Sequence, residues 1–118
     1  MKSLKFRAYL MPKVLSGEKY STWRLFDDKD IQEGNEVDLL EFVTNRYFGN
    51  ATVTKVVEKP MGELTAEDKA GHEEFDSDEQ MYEVYTTYYK QPVGPETFVK
   101  VIWFELRKQG KEKQLFPK

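Results

Sequence analysis

The chain reads as an α+β fold or a small β-barrel, mostly antiparallel, carrying two or three short helices. Three observations predict this. Alternating or β-branched and aromatic segments recur at 4–10, 19–26, 37–43, 51–58 and 98–106. Helix signals are confined to short stretches near 13–16, 64–70 and 77–89. The order is strand, short helix, extended segment, strand, strand, helices, strand, which is not the regular alternation of a doubly wound parallel sheet.

Each element has its own local reason. Leu4, Phe6, Ala8 and Leu10 alternate with Lys5, Arg7 and Tyr9, so 4–10 reads as a half-buried strand. Pro12 suits the first turn of a short helix through Lys13–Ser16, and Gly17 suits its close. Residues 27–36 are acidic and polar, with Gly34-Asn35 as a turn signal, and read as a loop. Val37–Val43 and 51–58 then form an antiparallel pair, with turn candidates at Asn45-Arg46 and Gly49-Asn50, and Pro60-Met61-Gly62 ends the second strand. Thr65 is placed to cap a helix from Leu64 to Ala70, with Glu67 and Asp68 in its first turn. Ser77 with Gln80 reads as a capping box, and Met81, Val84, Tyr85 and Tyr88 follow at helical spacing. Phe98–Leu106 is the most apolar run and reads as a central strand. Phe6, Phe42, Phe98, Trp103 and Phe104 are the expected core aromatics.

The length of 118 residues suits one domain, 1–118, with a core over about 4–106 and a charged tail at 107–118 expected to fray. Aromatics at 14% argue against disorder. No run approaches the ~20 apolar residues of a membrane span, and MKSLKFRAYL lacks the apolar stretch of a secretory signal, so a cytoplasmic location is expected. The absence of Cys excludes disulfides and thiolate sites, and a single His, His72, excludes histidine-cluster metal sites. There is no G-x-G-x-x-G and no P-loop. Net charge is -3, yet residues 1–24 carry six cations against Glu18, and 100–118 carry six against Glu105 and Glu112. If the two ends meet, they make a basic patch able to guide phosphate; otherwise the terminal lysines serve solubility.

The densest set of reactive residue types is Gly17-Glu18-Lys19-Tyr20-Ser21-Thr22-Trp23-Arg24. On a strict strand Tyr20, Thr22 and Arg24 share one face and Lys19, Ser21 and Trp23 the other. Lys19 and Thr22 converge only if the chain turns or bulges near Gly17–Ser21, which Gly17 permits. Otherwise Lys19 and Arg24 are solvated charges on a capped strand.

Gly17-x-Lys19-x-x-Thr22-x-Arg24 resembles the G-x-K-x-x-T-x-R signature of the ASCH family, a branch of the PUA-like β-barrels. The segment Glu73-Glu74-Phe75-Asp76-Ser77-Asp78-Glu79 and the closing strand Val99–Phe104 resemble later parts of that domain, so the resemblance spans about 4–106. The family's Gly-Asp before a strand is Gly34-Asn35 here, a mild departure. The resemblance implies a PUA-like small β-barrel with a cleft at the motif. It implies binding of RNA or of a modified nucleoside or nucleotide there, with Gly17, Tyr20, Trp23 and Arg24 as substrate-binding residues. One bacterial branch hydrolyses the acetyl amide of N4-acetylcytidine. Carried over, Lys19 is the proton acceptor, Thr22 the nucleophile, and Glu73, or Glu74 if the loop differs by one residue, the proton donor. No metal or cofactor is called for.

The chemistry is self-consistent. A Thr hydroxyl needs an adjacent base, and Lys serves as one only when desolvation or a nearby cation lowers its pKa. A Glu acting as acid needs the opposite shift, which burial supplies. Tyr20, Trp23, Tyr47, Phe48, Tyr85, Tyr88 and Tyr89 are aromatics able to stack bases, most of them expected in the core, with Trp23 and Tyr47 the two to test. His72, beside Glu73 and Glu74, either lies on the surface or modulates the nearby Glu. Two functions from different classes therefore stand: a module binding RNA or a modified nucleotide, and an amidohydrolase. The acidic loop at 27–38 suggests a protein-interaction surface on charge alone.

Overall fold

The computed structural model describes residues 2–26 and 29–107. It places five strands, β1 (Lys2–Phe6), β2 (Ser21–Leu25), β3 (Glu36–Glu41), β4 (Tyr47–Pro60) and β5 (Phe98–Leu106), in one sheet of order β1-β3-β4-β5-β2. Only β1 and β3 run parallel; the other three pairings are antiparallel. Three short helices accompany the sheet: α1 (Met11–Ser16), α2 (Ala66–Lys69) and α3 (Asp78–Tyr89). The expected α+β fold, mostly antiparallel with short helices, is the one observed.

The sheet curls into a half-barrel rather than a closed one. Its outer strands are β1 and β2, and the Arg24 guanidinium on β2 donates a 3.1 Å hydrogen bond to the Lys5 carbonyl on β1. A side chain thus bridges the gap that a backbone ladder closes in a complete barrel.

The most apolar strand has the most buried place. β5 lies between β4 and β2, and successive side chains serve two cores. Ile102 and Phe104 join Leu4, Phe6, Val14, Leu39 and Val53 on one face. Val99, Val101 and Trp103 join Trp23, Met61, Met81 and Tyr85 on the other. A strand covered on both faces needs a continuous apolar run, which FVKVIWFEL supplies.

Helix ends follow local chemistry. Gly17 closes α1 in the left-handed region at φ 88°. Thr65 and Asp68 form a reciprocal capping box on α2. The Ser77 hydroxyl accepts from the Gln80 N–H, but the Gln80 side chain reaches the Asp76 N–H, so the second half of the expected box is displaced by one residue.

Several sequence expectations are corrected. The strand expected at 4–10 ends at Phe6, because the Leu10 N–H bonds the Arg7 carbonyl and a 3-10 turn over Ala8–Leu10 leads into the Pro12 helix. The strand expected at 37–43 ends at Glu41, whose carboxylate gathers the N–H groups of Val43 and Thr44 into a turn. Phe42 therefore lies past the strand at 40% exposure, and Phe98 begins β5 at 62%. Neither is core. On α3 the buried positions are Met81 and Tyr85, whereas Val84 and Tyr88 are partly exposed at the rim of a cleft. The tail from residue 108 lies outside the described residues; within them, the two basic segments meet where Arg24 lies opposite Lys100 in the β2–β5 ladder. Among the described residues no helix is long and apolar enough to cross a membrane.

Candidate functional site

Gly17 sets the geometry of the motif. Its left-handed turn lets the Lys19 N–H bond back to the Lys13 carbonyl, so Lys19 precedes β2 and escapes strand alternation. Its side chain runs inward beneath the Phe6 ring, with Nζ 5.9 Å from the ring centroid and the residue only 3% exposed. Nζ donates to the Ser21 carbonyl at 2.8 Å and pairs with Glu73 Oε2 at 2.6 Å.

The segment carrying Glu73 is held against β2. The Gly71 carbonyl accepts from both Tyr20 and Ser21 N–H groups, and the Ser21 hydroxyl donates to the Ala70 carbonyl. His72 lies flat on Trp23, ring centroids 3.8 Å apart, and Tyr85 stacks against the same indole at 5.9 Å. His72 Nδ1 is 3.1 Å from the Glu73 carbonyl, so it carries the proton, and Nε2 accepts from the Tyr85 hydroxyl at 3.3 Å.

Electrostatics follow from this burial. Burial lowers the Lys19 pKa, helped by Arg24 and Lys13 and opposed by Glu73. Burial pushes the Glu73 carboxyl up, but neighbouring positive charge outweighs it and holds the group below its ordinary value. His72 is lowered to about 4 by burial, with Lys19 adding to the effect and Glu73 opposing it. It is neutral at pH 7, so the charge that keeps Glu73 ionised there is that of Lys19.

A pH prediction follows. The His72 pKa is lower folded than unfolded, so protons bind the unfolded chain preferentially. The associated stability is whole above about pH 6.5 and drains as pH falls towards 4, by about 3 kcal/mol in all. Urea midpoints measured from pH 7.5 to 4 are expected to fall more steeply for the native chain than for His72→Gln. Equal slopes would assign the acid sensitivity elsewhere.

These groups open into a cleft of about 160 Å³, lined by Lys5, Phe6, Arg7, Tyr9, Leu10, Lys19, Thr22, Trp23, Arg24, His72, Glu73, Phe75, Val84, Tyr85 and Tyr88. That volume suits one ring system better than a drug-sized ligand, whose pockets run to ~300–1,000 Å³. Lys19, Thr22, Arg24 and Glu73 therefore share one cleft. The Thr22 hydroxyl makes no hydrogen bond among the described residues, and Lys19 points to Glu73 and Ser21 rather than to it. Glu74 is exposed and lines an adjoining depression with Lys69 and Asp78. Tyr20 is outside the cleft: its ring lies over Gly71, where a Cβ would come within 2.5 Å. Trp23 is 3% exposed and already stacked. Tyr47 is exposed by a separate groove with Met11 and Leu15. Tyr85 and Tyr88, two of the aromatics able to stack bases, do line the cleft. Arg7 was not legible as a site residue; the basic N-terminus was its only signal. Among the described residues no group of three or more His, Asp or Glu side chains is placed to hold a metal.

A five-stranded half-barrel with a motif lysine buried at its open side and a helix along the cleft defines a class of small α+β domain. The fold is that of the ASCH domain. Protein EF3133 from Enterococcus faecalis V583 matches it at TM-score 0.72 and 15% identity, covering 90% of this chain and 80% of that one. An ASCH domain from Lactobacillus crispatus JV V101 matches at 0.63 and 14%, covering 80% and 68%. A mutant form of ZmASCH from Zymomonas mobilis matches at 0.59 and 14%, covering 98% and 82%. At these identities the likeness is one of fold. No family model matches the sequence, and no curated protein matches it.

Proposed function

We propose that the cleft binds a modified nucleoside or nucleotide, free or within RNA. The observation that carries this reading is the composition of the lining. Four cations, Lys5, Arg7, Lys19 and Arg24, face one carboxylate, Glu73, between aromatic side chains, in a protein of net charge -3. Cations concentrated in a half-enclosed cleft favour an anionic ligand, and aromatic walls favour a flat one.

A second reading adds catalysis, and the burial of Lys19 favours it. A lysine that only attracts phosphate gains nothing from desolvation, whereas a base must lose its proton near neutral pH. The single proton of the Lys19–Glu73 pair suffices for amide cleavage. At rest it sits on Lys19, with Glu73 ionised; its transfer to Glu73 as substrate binds leaves Lys19 neutral. Thr22 Oγ1 then attacks the acyl carbon and gives its proton to Lys19, while Glu73 protonates the departing amine. Water attacks the resulting Thr22 ester. Its proton goes to Glu73, Lys19 returns one to Thr22, and the free acid leaves. Arg24, fixed on the Lys5 carbonyl, lines the same cleft and is the group this reading assigns to the acyl oxygen.

The test is hydrolysis of N4-acetylcytidine by the purified protein, beside titration with cytidine. Turnover lost in both Lys19→Ala and Thr22→Ala is the expected result under the catalytic reading. Cytidine binding without turnover, from folded protein, would leave the binding reading alone. Neither binding nor turnover would remove both.

A further inference from the structure

The four cations of the cleft are not equivalent. Lys19 is paired with Glu73, and the Arg24 guanidinium is bonded to the Lys5 carbonyl. Lys5 and Arg7 have no carboxylate within ion-pairing distance among the described residues. Arg7 is nonetheless held in place. Its guanidinium carbon is 4.7 Å from the Phe42 ring centroid and 4.8 Å from that of Tyr88. These two aromatics come from different parts of the fold, the turn after β3 and the last turn of α3, and each is partly exposed.

Such a support has a physical purpose. Free arginine side chains carry much rotamer entropy, and contact with ring faces removes part of it before any ligand arrives. Both rings turn a face to the guanidinium carbon and offer its N–H groups no strong acceptor. A supported guanidinium without an acceptor suits a phosphate, which it can engage through two parallel hydrogen bonds. Position along the helix fits as well. Tyr85, whose hydroxyl holds His72, and Tyr88 are three residues apart on α3, about 4.5 Å of helix rise. Arg7 and His72, the neighbour of Glu73, therefore contact different positions of α3.

We infer that Arg7, backed by Phe42 and Tyr88 and flanked by Lys5, is a phosphate subsite, and that the ligand of the cleft is phosphorylated. The inference rests on the nucleotide reading above and narrows it, because a bare nucleoside leaves this subsite empty. The phosphate comes from a free nucleotide or from an RNA backbone.

The experiment compares cytidine, cytidine 5′-monophosphate, cytidine 3′-monophosphate, a five-residue oligocytidylate and inorganic phosphate alone. Each is titrated into ¹⁵N-labelled protein while the Arg7 Nε–H resonance is followed. The expected result is at least tenfold tighter binding of a phosphorylated ligand than of cytidine, with the Arg7 resonance shifting. Arg7→Gln is expected to reduce the ratio of that ligand's affinity to cytidine's, measured on the same variant, to about one. Preference for a monophosphate identifies a free nucleotide; preference for the oligomer identifies RNA. Phe42→Ala keeps the charge but removes one support, and is expected to lose part of the advantage. Cytidine binding with no gain from phosphate would overturn the subsite and leave the nucleoside reading standing. A phosphate-induced Arg7 shift without cytidine binding would keep the subsite and overturn the nucleoside. No response to any ligand would overturn both.

Discussion

Replacing Trp23 by alanine is expected to destabilise the domain by about 3–5 kcal/mol, the usual range for a large buried aromatic. Domains of this size are held by only about 5–15 kcal/mol in total, so the loss is a large fraction of the whole. The indole is 3% exposed and lies in the core shared with Met61, Met81, Val101 and Trp103. It also carries His72 on one side and contacts Phe75 and Tyr85. Its removal leaves a cavity and frees the ring that orders the backbone next to Glu73. The indole N–H is itself buried without a partner among the described residues, so Trp23→Phe removes an unsatisfied donor while keeping a ring. That variant is expected to lose less than about 2 kcal/mol. Urea unfolding of the three proteins measures both differences. A Trp23→Phe loss as large as that of Trp23→Ala would mean that indole shape, not aromatic filling, is what the site requires.

The second large effect separates function from stability at the Lys19–Glu73 pair. Lys19→Met puts an unbranched apolar chain where a charge is now buried beneath Phe6. Replacing a whole buried ion pair by hydrophobes of similar volume is often neutral or stabilising, whereas removing one partner leaves the other charge uncompensated. Glu73 Oε2, the atom that meets Lys19, is buried. Lys19→Met combined with Glu73→Leu is therefore expected to stay within about 1 kcal/mol of the native stability, or to exceed it. Glu73→Gln is expected to lose about 2 kcal/mol, because it leaves an ammonium group in a nearly closed site with only the Ser21 carbonyl as partner. Under the catalytic reading, both variants lose N4-acetylcytidine turnover by about 100-fold or more. Opposite signs in stability with a common loss of activity mark a charge kept for chemistry. A double variant, Lys19→Met with Glu73→Leu, that unfolds would make the pair a structural element.

Much of this arrangement was legible in local sequence. The left-handed turn at Gly17, the caps at Thr65 and Ser77 and the central place of β5 each follow from a few adjacent residues. Grouping Lys19, Thr22 and Glu73 needed the resemblance, because strand parity alone puts Lys19 and Thr22 on opposite faces. Parity failed for a physical reason. Lys19 precedes the strand, and β2 is an outer strand, so Thr22, Trp23 and Arg24 all reach the cleft along its free rim. The same rule misplaced Tyr20, whose backbone is tied to Gly71 and whose ring turns away. Phe42 was read as core because it follows an apolar strand, yet the Glu41 turn cuts that strand short and leaves the ring to meet Arg7. No local pattern records a contact between residues 7, 42 and 88.

The unfinished barrel has a consequence for solubility. An outer strand offers unpaired backbone groups that another chain can extend into a longer sheet. Here that template is occupied along β2 and interrupted on β1. The Tyr20 and Ser21 N–H groups go to Gly71, the Leu25 N–H goes to the Tyr89 hydroxyl, and the Lys5 carbonyl goes to Arg24. Groups that frame the cleft therefore also guard it against strand addition and fibre growth, so the gap stays open to a small ligand and closed to another backbone.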